Sequence, residues 1–518
     1  MSEAPERQVL IVGAGPAGLF AASELARHGV HARVVDHAME PHRQTRATAI
    51  QPAVLEILGR AGVLDRFLAT GVPIRGVRFI GPDLREIAVG MFAGIDCAHE
   101  HQCSLPQWRT ERILTDHLES LGGQVECGVE VQAIEDIEDG LRVTLVHPDG
   151  HADEAVVDYV LGAGGAHSVT RSSMHSHLDG ATYGGQFVAA DACHRLPTTP
   201  DEARIYFGPR GFVLMAPLPD EHWIMFVNVE DSATTPPDEQ GLAMLVNERI
   251  GRDAGIHDVA WISCFRMHNR IVPRLADRRR FLLGDAGHLS SPFAGEGLNT
   301  ALMDAADIAW KLALVLRGRG LPTLLESFAV ERGAADHHVL EVSNSVHETV
   351  MGLVRTFASG AEPTLPVPDA ARDLAAQRSR AMLDVSYAGS PLVAEHAPGG
   401  PTGGPAVGSR FPDRAKLSGI LHHLIVFGAA PADGLRARWQ GLVEVVDGRR
   451  AGFDPARAGV ADGGAVLVRP DGMIGFRAIP ADESGIAALD AHLSSYLVPS
   501  NVSASASVFS ASPVVARG

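Results

Sequence analysis

The chain has 518 residues, too many for one hydrophobic core, so two or three domains are expected. Apolar residues make up 46% and charged residues 20%, an ordinary globular balance, and no apolar run approaches the roughly 18 residues of a membrane span. The formal net charge of −18 repels phosphate backbones and anionic lipid, which sets nucleic acid and membrane surfaces aside as partners.

The N-terminus is polar and runs directly into Val9-Leu10-Ile11-Val12, an all-apolar run expected of a strand buried on both faces of a parallel sheet. Gly13-Ala14-Gly15-Pro16-Ala17-Gly18 follows. A helical spacing of Leu19, Ala22 and Ala26 then runs to a stop at Gly29. Ala32 to Val35 is the next strand and ends at Asp36, which completes one βαβ unit. From about Gly76 the pattern turns to short alternating segments, and Val125 to Val146 reads as two strands. Tyr159 to Gly162 leads into a second glycine-rich turn, and residues from about Phe187 to Met267 are β-rich. Phe281-Leu282-Leu283 is again a buried strand, with a helix from about Leu298 to Leu316 behind it. Residues 389 to 413, rich in Gly and Pro, read as a linker to a small α/β domain, and the last twenty residues as a mobile tail.

Two segments carry chemistry. Between a strand and a helix, Gly13 permits a tight turn, Gly15 lets a pyrophosphate approach the backbone, and Gly18 lets helix and strand pack closely. The helix N-terminus that follows Pro16, from Ala17 on, supplies N–H donors to phosphates, and Asp36 accepts from ribose hydroxyls. In the second segment, Gly284-Asp285-Ala286-Gly287-His288 precedes Pro292 and then Gly295-Glu296-Gly297-Leu298-Asn299. Asp285 is placed to hydrogen-bond a polyol, and the helix start at the glycine pair favours negative charge, as on a reduced flavin.

These two motifs together resemble the single-component FAD-dependent aromatic hydroxylases, the group A flavoprotein monooxygenases. The resemblance covers about residues 8 to 360 and is densest from Gly284 to Leu312. It implies FAD as cofactor, NADPH or NADH as co-substrate, and molecular oxygen transferred through a flavin C4a-hydroperoxide to a phenolic or polycyclic aromatic substrate, as in natural-product biosynthesis. It also implies that Arg46, Gln107 and the backbone of Val131 contact FAD, and that Pro292 and Gly295 belong to an active-site loop. His42 and Arg46 would lie on the flavin's other side, and no catalytic residue beyond the flavin itself is assigned.

The segment after the linker, with Gly408 to Asp413 and Arg469-Pro470-Asp471-Gly472, resembles the thioredoxin-like C-terminal domain of the larger members. With no cysteine after Cys264 it cannot do dithiol chemistry, so a structural role or subunit contacts, as in a homodimer, are expected. The expected architecture is therefore α/β. A three-layer ββα Rossmann-like FAD-binding domain (1–180 and 268–390, with a β-rich insertion at about 76–104) carries a mixed β-sheet substrate domain (181–267). A thioredoxin-like domain (391–498) and a flexible tail (499–518) follow.

Two positions depart from the family pattern. Gly164 stands where an aspartate linked to FAD and nicotinamide handling is usual. Glu296 replaces a glutamine, and a carboxylate beside an anionic ring should either raise its own pKa or weaken flavin reduction. Phe212, Met215, Trp223, Met225, Pro292 and Phe293 are the expected substrate wall.

No metal site is expected. The 24 histidines include several close pairs but no third and fourth ligand at suitable spacing. Five scattered cysteines without a C-x-x-C pair fit reduced thiols and a cytoplasmic location. Epoxidation, Baeyer–Villiger oxidation and antibiotic inactivation occur on the same scaffold and stay open, as does a non-catalytic flavoprotein serving as a redox sensor or binding module. Halogenation is disfavoured because no two of the five tryptophans are two residues apart.

Overall fold

The computed structural model describes residues 9–40, 47–229, 235–291, 293, 295–361, 373–400, 403–428, 430–460 and 463–499. Arg46, Pro292 and His42 lie outside the described residues, as does the expected tail beyond residue 499.

A six-stranded sheet organises the first half. Its order is Ala276–Asp277, Arg280–Leu282, Tyr159–Gly162, Val9–Val12, Arg33–Asp36 and Val125–Cys127, parallel throughout except for the first pair. The apolar run Val9–Val12 sits at its centre, where both faces are covered. Val9 and Ile11 face the helices Pro16–Arg27 and Gly297–Leu316. Leu10 and Val12 face an antiparallel meander of Glu130–Ile137, Gly140–Val146 and Ala152–Val157, through Val131, Ile134 and Val143. Period-two alternation along four residues thus selects two different cores and yields three layers.

The second sheet has seven strands in the order His257–Phe265, Gln186–Cys193, Trp223–Val229, Gly211–Pro217, Glu202–Gly208, Gly76–Ile80 and Glu86–Met91. The last two strands come from the first third of the chain. They join because Gly76–Ile80 pairs in parallel with Glu202–Tyr206. One face packs on the helix Glu239–Ile250 through Leu242, Val246 and Ile250. The other face looks toward the FAD-type sheet.

Beyond residue 390 lies a five-stranded mixed sheet, Ala394–His396, Ile474–Ala478, Ala465–Val468, His422–Val426 and Val443–Asp447, with the helix Glu483–Ser494 against it. The stretch expected to be a linker is built into this unit. Ala394–His396 is its edge strand and Arg410 is buried. Glycine and proline there serve turns, not slack.

The C-terminal sheet is held to the first half by buried charges. Arg469, fully buried, pairs with Asp471 and with Glu331 (2.5 Å) on the long helix Thr323–Ala358, and reaches Asp307 (3.3 Å). Lys311 pairs with Asp307 (2.6 Å) and Glu331 (2.5 Å). Burial raises the Asp307 carboxyl well above its usual range, against the pull of Lys311 and Arg469. Burial also opposes charge on Glu331, but Arg469 and Lys311 outweigh it and hold that carboxyl ionised. The guanidinium of Arg469 also stacks on Trp310 and Tyr387. Removing one member of such a group strands the others, at about 3–5 kcal/mol. Arg469→Leu is therefore expected to lower the thermal unfolding temperature sharply and to expose the C-terminal sheet to limited proteolysis. A variant as stable as the parent would show that this contact does not hold the two parts together.

Candidate active site

One cavity of about 630 Å³ runs from the first glycine turn to the seven-stranded sheet. Its size is that of a cofactor or small-molecule site. At one end it is lined by Gly15, Pro16 and Ala17 from the first turn, Ala163 and Gly165 from the second, and Gly284 and Asp285 from the third. All three turns leave the C-terminal ends of parallel strands, where ligands bind in open α/β sheets.

The first turn is shaped by contact of backbone with backbone. Gly13 has φ +107°, and a Cβ there would overlap the Ala163 carbonyl; a Cβ on Gly18 would overlap the Gly13 carbonyl. A Cβ on Gly15 would meet nothing within 4 Å, so its bare backbone faces open space. Gly13, Ala14 and Gly18 thus build the turn, while Gly15 and the helix start present it. Asp36 accepts from the Ala14 N–H (2.6 Å) and the Ala38 N–H (2.8 Å), so its carboxylate fixes the turn. Val131 does not line the cavity; its side chain packs with Val12 and Val35 behind the turn.

Gln107 opens the helix Gln107–Ser120 and lines the cavity, its side-chain amide donating to Glu111 (2.8 Å). Burial pushes Glu111 up to about 7. Arg171 donates to the carbonyls of Ala286 (3.1 Å) and Ala166 (2.6 Å), which couples the second and third turns. Gly164, the position that departs from the family, has no contact under 3.7 Å at its Cβ position. Sterics therefore do not demand a glycine there.

The middle of the cavity is formed by Gly295, Glu296, Gly297 and Leu298 at the start of the helix Gly297–Leu316. That first turn carries no acidic side chain, so its N–H groups are open to an anion. Asn299 is fully buried and spends its amide on scaffolding. Its Oδ1 accepts from the Gln51 N–H (2.7 Å), and its Nδ2 donates to the carbonyls of Ala49 (2.8 Å) and Gly295 (2.6 Å). It thereby clamps the 49–51 wall to the glycine loop instead of reaching into the cavity.

Glu296 is 1% exposed, and its Oε2 meets no hydrogen-bond partner. Burial pushes its carboxyl up to about 8, against a contact from Ser343 and with help from Asp384. Of the two outcomes expected for a carboxylate here, burial favours the first, with the neutral acid preferred near pH 7.

At the far end the wall is apolar: Val77, Phe79, Ile205, Leu214, Ile224 and Phe226 from the seven-stranded sheet, with Phe293 from the loop. Phe293 packs on Phe212 (5.2 Å between ring centres), and Phe212 is buried behind it. The expected wall residues Met215, Trp223 and Met225 are corrected by the structure. They face the helix Glu239–Ile250 in a separate core, and the neighbours Leu214, Ile224 and Phe226 face the cavity. A strand's period of two puts adjacent residues on opposite faces, and nothing in an all-apolar run says which set faces in.

Several polar wall residues were not anticipated, among them His268 and Arg380. His268 is held 3.0 Å from the Thr182 hydroxyl and kept neutral, by burial first and then by Arg270 and Arg266. Arg380, at the end of the helix Leu374–Arg380, is lowered by burial and only partly supported by Asp373. It has no hydrogen-bond or ion-pair partner among the described residues, yet it lines the cavity.

A three-layer dinucleotide fold with this cavity defines a flavin-dependent oxidoreductase. The family described as "FAD binding domain" matches residues 6–343, and the chain belongs to it. The chain is 33% identical to the 6-methylpretetramide 4-monooxygenase of Streptomyces rimosus over 341 residues, 64% of this chain; it spans 60% of that relative's length. It is 30% identical to the 12-dehydrotetracycline 5-monooxygenase/anhydrotetracycline 6-monooxygenase of Streptomyces rimosus subsp. rimosus, covering 91% of this chain and 95% of that one. The solved structure of OxyS anhydrotetracycline hydroxylase from Streptomyces rimosus matches with a TM-score of 0.73 and 29% identity, over 95% of this chain and 99% of that one. The protein is an FAD-dependent monooxygenase of the aromatic hydroxylase type.

The raised pKa of Glu296 gives a test of its buried state. Between the ordinary carboxyl value of 4.5 and about 8, the folded protein holds a proton that the unfolded chain releases, so stability falls as pH rises through that window. Glu296→Gln is expected to raise the melting temperature at about pH 9 and to change it little at about pH 5. Equal shifts at both pH values would show that the carboxyl is ionised throughout.

Proposed function

We propose that this enzyme hydroxylates a phenolic, polycyclic aromatic substrate of the polyketide type in natural-product biosynthesis, consuming NADPH or NADH and molecular oxygen. The observation that carries the reading is the joined cavity: glycine turns of a dinucleotide fold at one end, a largely apolar chamber at the other, and in its lining Arg380, whose guanidinium has no partner among the described residues. The pretetramide and tetracycline monooxygenases that the chain resembles support the same substrate class.

FAD, once bound and reduced, supplies the activation and transfer of oxygen. The chain supplies the setting. In this reading Gly15, Pro16 and Ala17 hold the pyrophosphate, with Gly13, Ala14 and Gly18 shaping the turn. Asp36 and Asp285 serve the two polyol segments, and Gln107 the ribityl region. Gly295, Gly297 and Leu298 present helix N–H groups to the ring, with Asn299 bracing the loop. Arg46, Pro292 and the backbone of Val131 keep the family's roles as part of the proposal. Phe293 and the sheet side chains exclude water, which protects reactive oxygen species from decay. Arg380 favours the ionised form of a phenol, the more electron-rich one, and His268 offers a neutral imidazole to the same chamber.

The domain division also belongs to this reading: FAD-binding 1–180 and 268–390, substrate sheet 181–267, thioredoxin-like 391–498. So do a cytoplasmic location, consistent with five free cysteines, and a homodimer.

The test is NADPH oxidation by the purified yellow protein. It is expected to accelerate when a polycyclic phenol is added, with a product heavier by one oxygen atom. No acceleration by any phenol and no oxygenated product would defeat the reading. In Arg380→Gln the KM for such a phenol should rise roughly tenfold while FAD content stays at the parent level, the scale of one hydrogen bond to a charged group. An unchanged KM would remove Arg380 from substrate binding.

A further inference from the structure

Three clusters of potential metal ligands occur among the described residues, and two are neutralised by the protein's own cations. His288, Asp304 and Asp336 enclose Arg332, and Asp307, Glu331 and Asp471 enclose Lys311 and Arg469. The third, Cys193, His222 and Asp258, encloses none.

Its members come from three neighbouring strands at one end of the seven-stranded sheet. Cys193 ends the central strand Gln186–Cys193. His222 immediately precedes Trp223–Val229 on one side, and Asp258 is the second residue of His257–Phe265 on the other. One ligand atom from each lies within 4.8 Å of the others, and His222 Nε2 is 3.6 Å from Asp258 Oδ2. Ligand atoms around a tetrahedral zinc ion with bonds of about 2.0 Å are spaced by about 3.3 Å, and somewhat more where sulfur is one of them.

Two further observations point to a cation. Cys193 is only 9% exposed, and its sulfur, without a hydrogen-bond partner among the described residues, lies within 4.8 Å of the other two ligand atoms. His222 Nδ1 stands 2.6 Å from Asp191 Oδ1. A ring that donates Nδ1–H to this carboxylate offers its Nε2 lone pair to a cation held with Cys193 and Asp258. A carboxylate behind a histidine is the usual outer support of a metal-ligating imidazole.

The carboxylates of Asp258, Asp191 and Glu221 lie around the Cys193 thiol, a negative setting that favours a cation. Arg109, the cation that acts on Asp191, is itself paired with Asp220.

We propose that Cys193, His222 and Asp258 form a zinc-binding site that staples three strands of the substrate sheet, with Asp191 orienting the histidine and water completing the tetrahedron. On binding, the Cys193 S–H bond breaks, its proton passes to solvent, and the sulfur electron pair forms the bond to the metal. No oxidation is involved. None of the three residues lines the flavin cavity, so the site is separate from the oxygen chemistry.

The test uses the full-length, FAD-loaded protein, stripped with a chelator and titrated with zinc chloride against a chromophoric competitor. One zinc ion per chain is expected, with a rise in melting temperature. Cobalt chloride should give a thiolate-to-cobalt charge-transfer band in the difference spectrum. Cys193→Ser should abolish that band. His222→Gln, and Asp258→Asn at the exposed position, should weaken zinc affinity at least tenfold, and Asp191→Asn should weaken it about tenfold. Flavin absorbance reports that each variant is folded, and Asp258→Asn gives the answer if the buried substitutions are not. The proposal is overturned if the parent takes up no zinc at one equivalent, or if Asp258→Asn or Cys193→Ser binds it as tightly as the parent.

Discussion

The flavin end of the molecule depends on one buried carboxylate, that of Asp304. It accepts from the Gly284 N–H (2.9 Å), from His288 (2.8 Å) and from Arg332 (2.8 Å), with no exposed surface of its own. The first two contacts fix the turn that carries Asp285, and the third ties it to the long helix Thr323–Ala358. Burial works against charge on His288, but Asp336 and Asp304 outweigh it, and the pKa rises to about 9. Arg332 continues the chain to Asp336 (2.7 Å) and Tyr387 (3.1 Å). The turn that carries Asp285 is thus built on a buried ionic network whose charges offset one another, with Asp336 Oδ2, which accepts no hydrogen bond, 3.7 Å from His288.

The charge plan on either side of the cofactor follows from this. Ionic groups lie behind the turns, where each has a partner. In front of them the cavity wall carries few charges: the helix start has no acid in its first turn, burial pushes the Glu296 carboxyl up to about 8, and the charged side chains of the lining are Asp285, Arg266 and Arg380. A site arranged this way concentrates its few polar groups where reacting atoms sit and leaves the rest of the wall to exclude water.

How much of this was legible in the sequence depended on what kind of physics set each residue. Gly13 and Gly18 were legible because backbone contact admits no side chain there, and such a demand leaves a fixed letter at a fixed spacing. Asp285 and the helix start at Gly297 were legible from the order strand, turn, helix, which brings both to the cavity. The inward face of the substrate sheet was not. Leu214-Met215 and Trp223-Ile224-Met225-Phe226 are apolar on both faces, so parity had to come from what packs on each side. The helix Glu239–Ile250 took Met215, Trp223 and Met225. Arg380 and His268 were invisible for another reason: they reach the cavity from segments far apart in the chain. The same holds for Cys193, His222 and Asp258, since histidine pairs close in sequence say nothing about ligands contributed by adjacent strands.

The C-terminal sheet also takes its meaning from such long-range contacts. Arg414 pairs with Glu56 (2.7 Å), and Arg410 lies 3.4 Å from the same carboxylate. Burial resists charge on Glu56, yet the two arginines hold its pKa below the ordinary value. Glu56 lies on the helix Pro52–Ala61, whose N-cap is Gln51, and Gln51 is the residue that Asn299 clamps to the glycine loop. Arg60 of that helix donates to the carbonyls of Leu417 (3.1 Å) and Pro470 (2.8 Å). Buried ion pairs add little net stability, but they penalise any other docking that would leave a charge alone. The C-terminal unit therefore acts on the cavity through position. It fixes the helix that fixes Gln51, and Gln51 fixes the wall opposite the helix start. A domain with no cysteine needs no chemistry of its own to matter to the reaction.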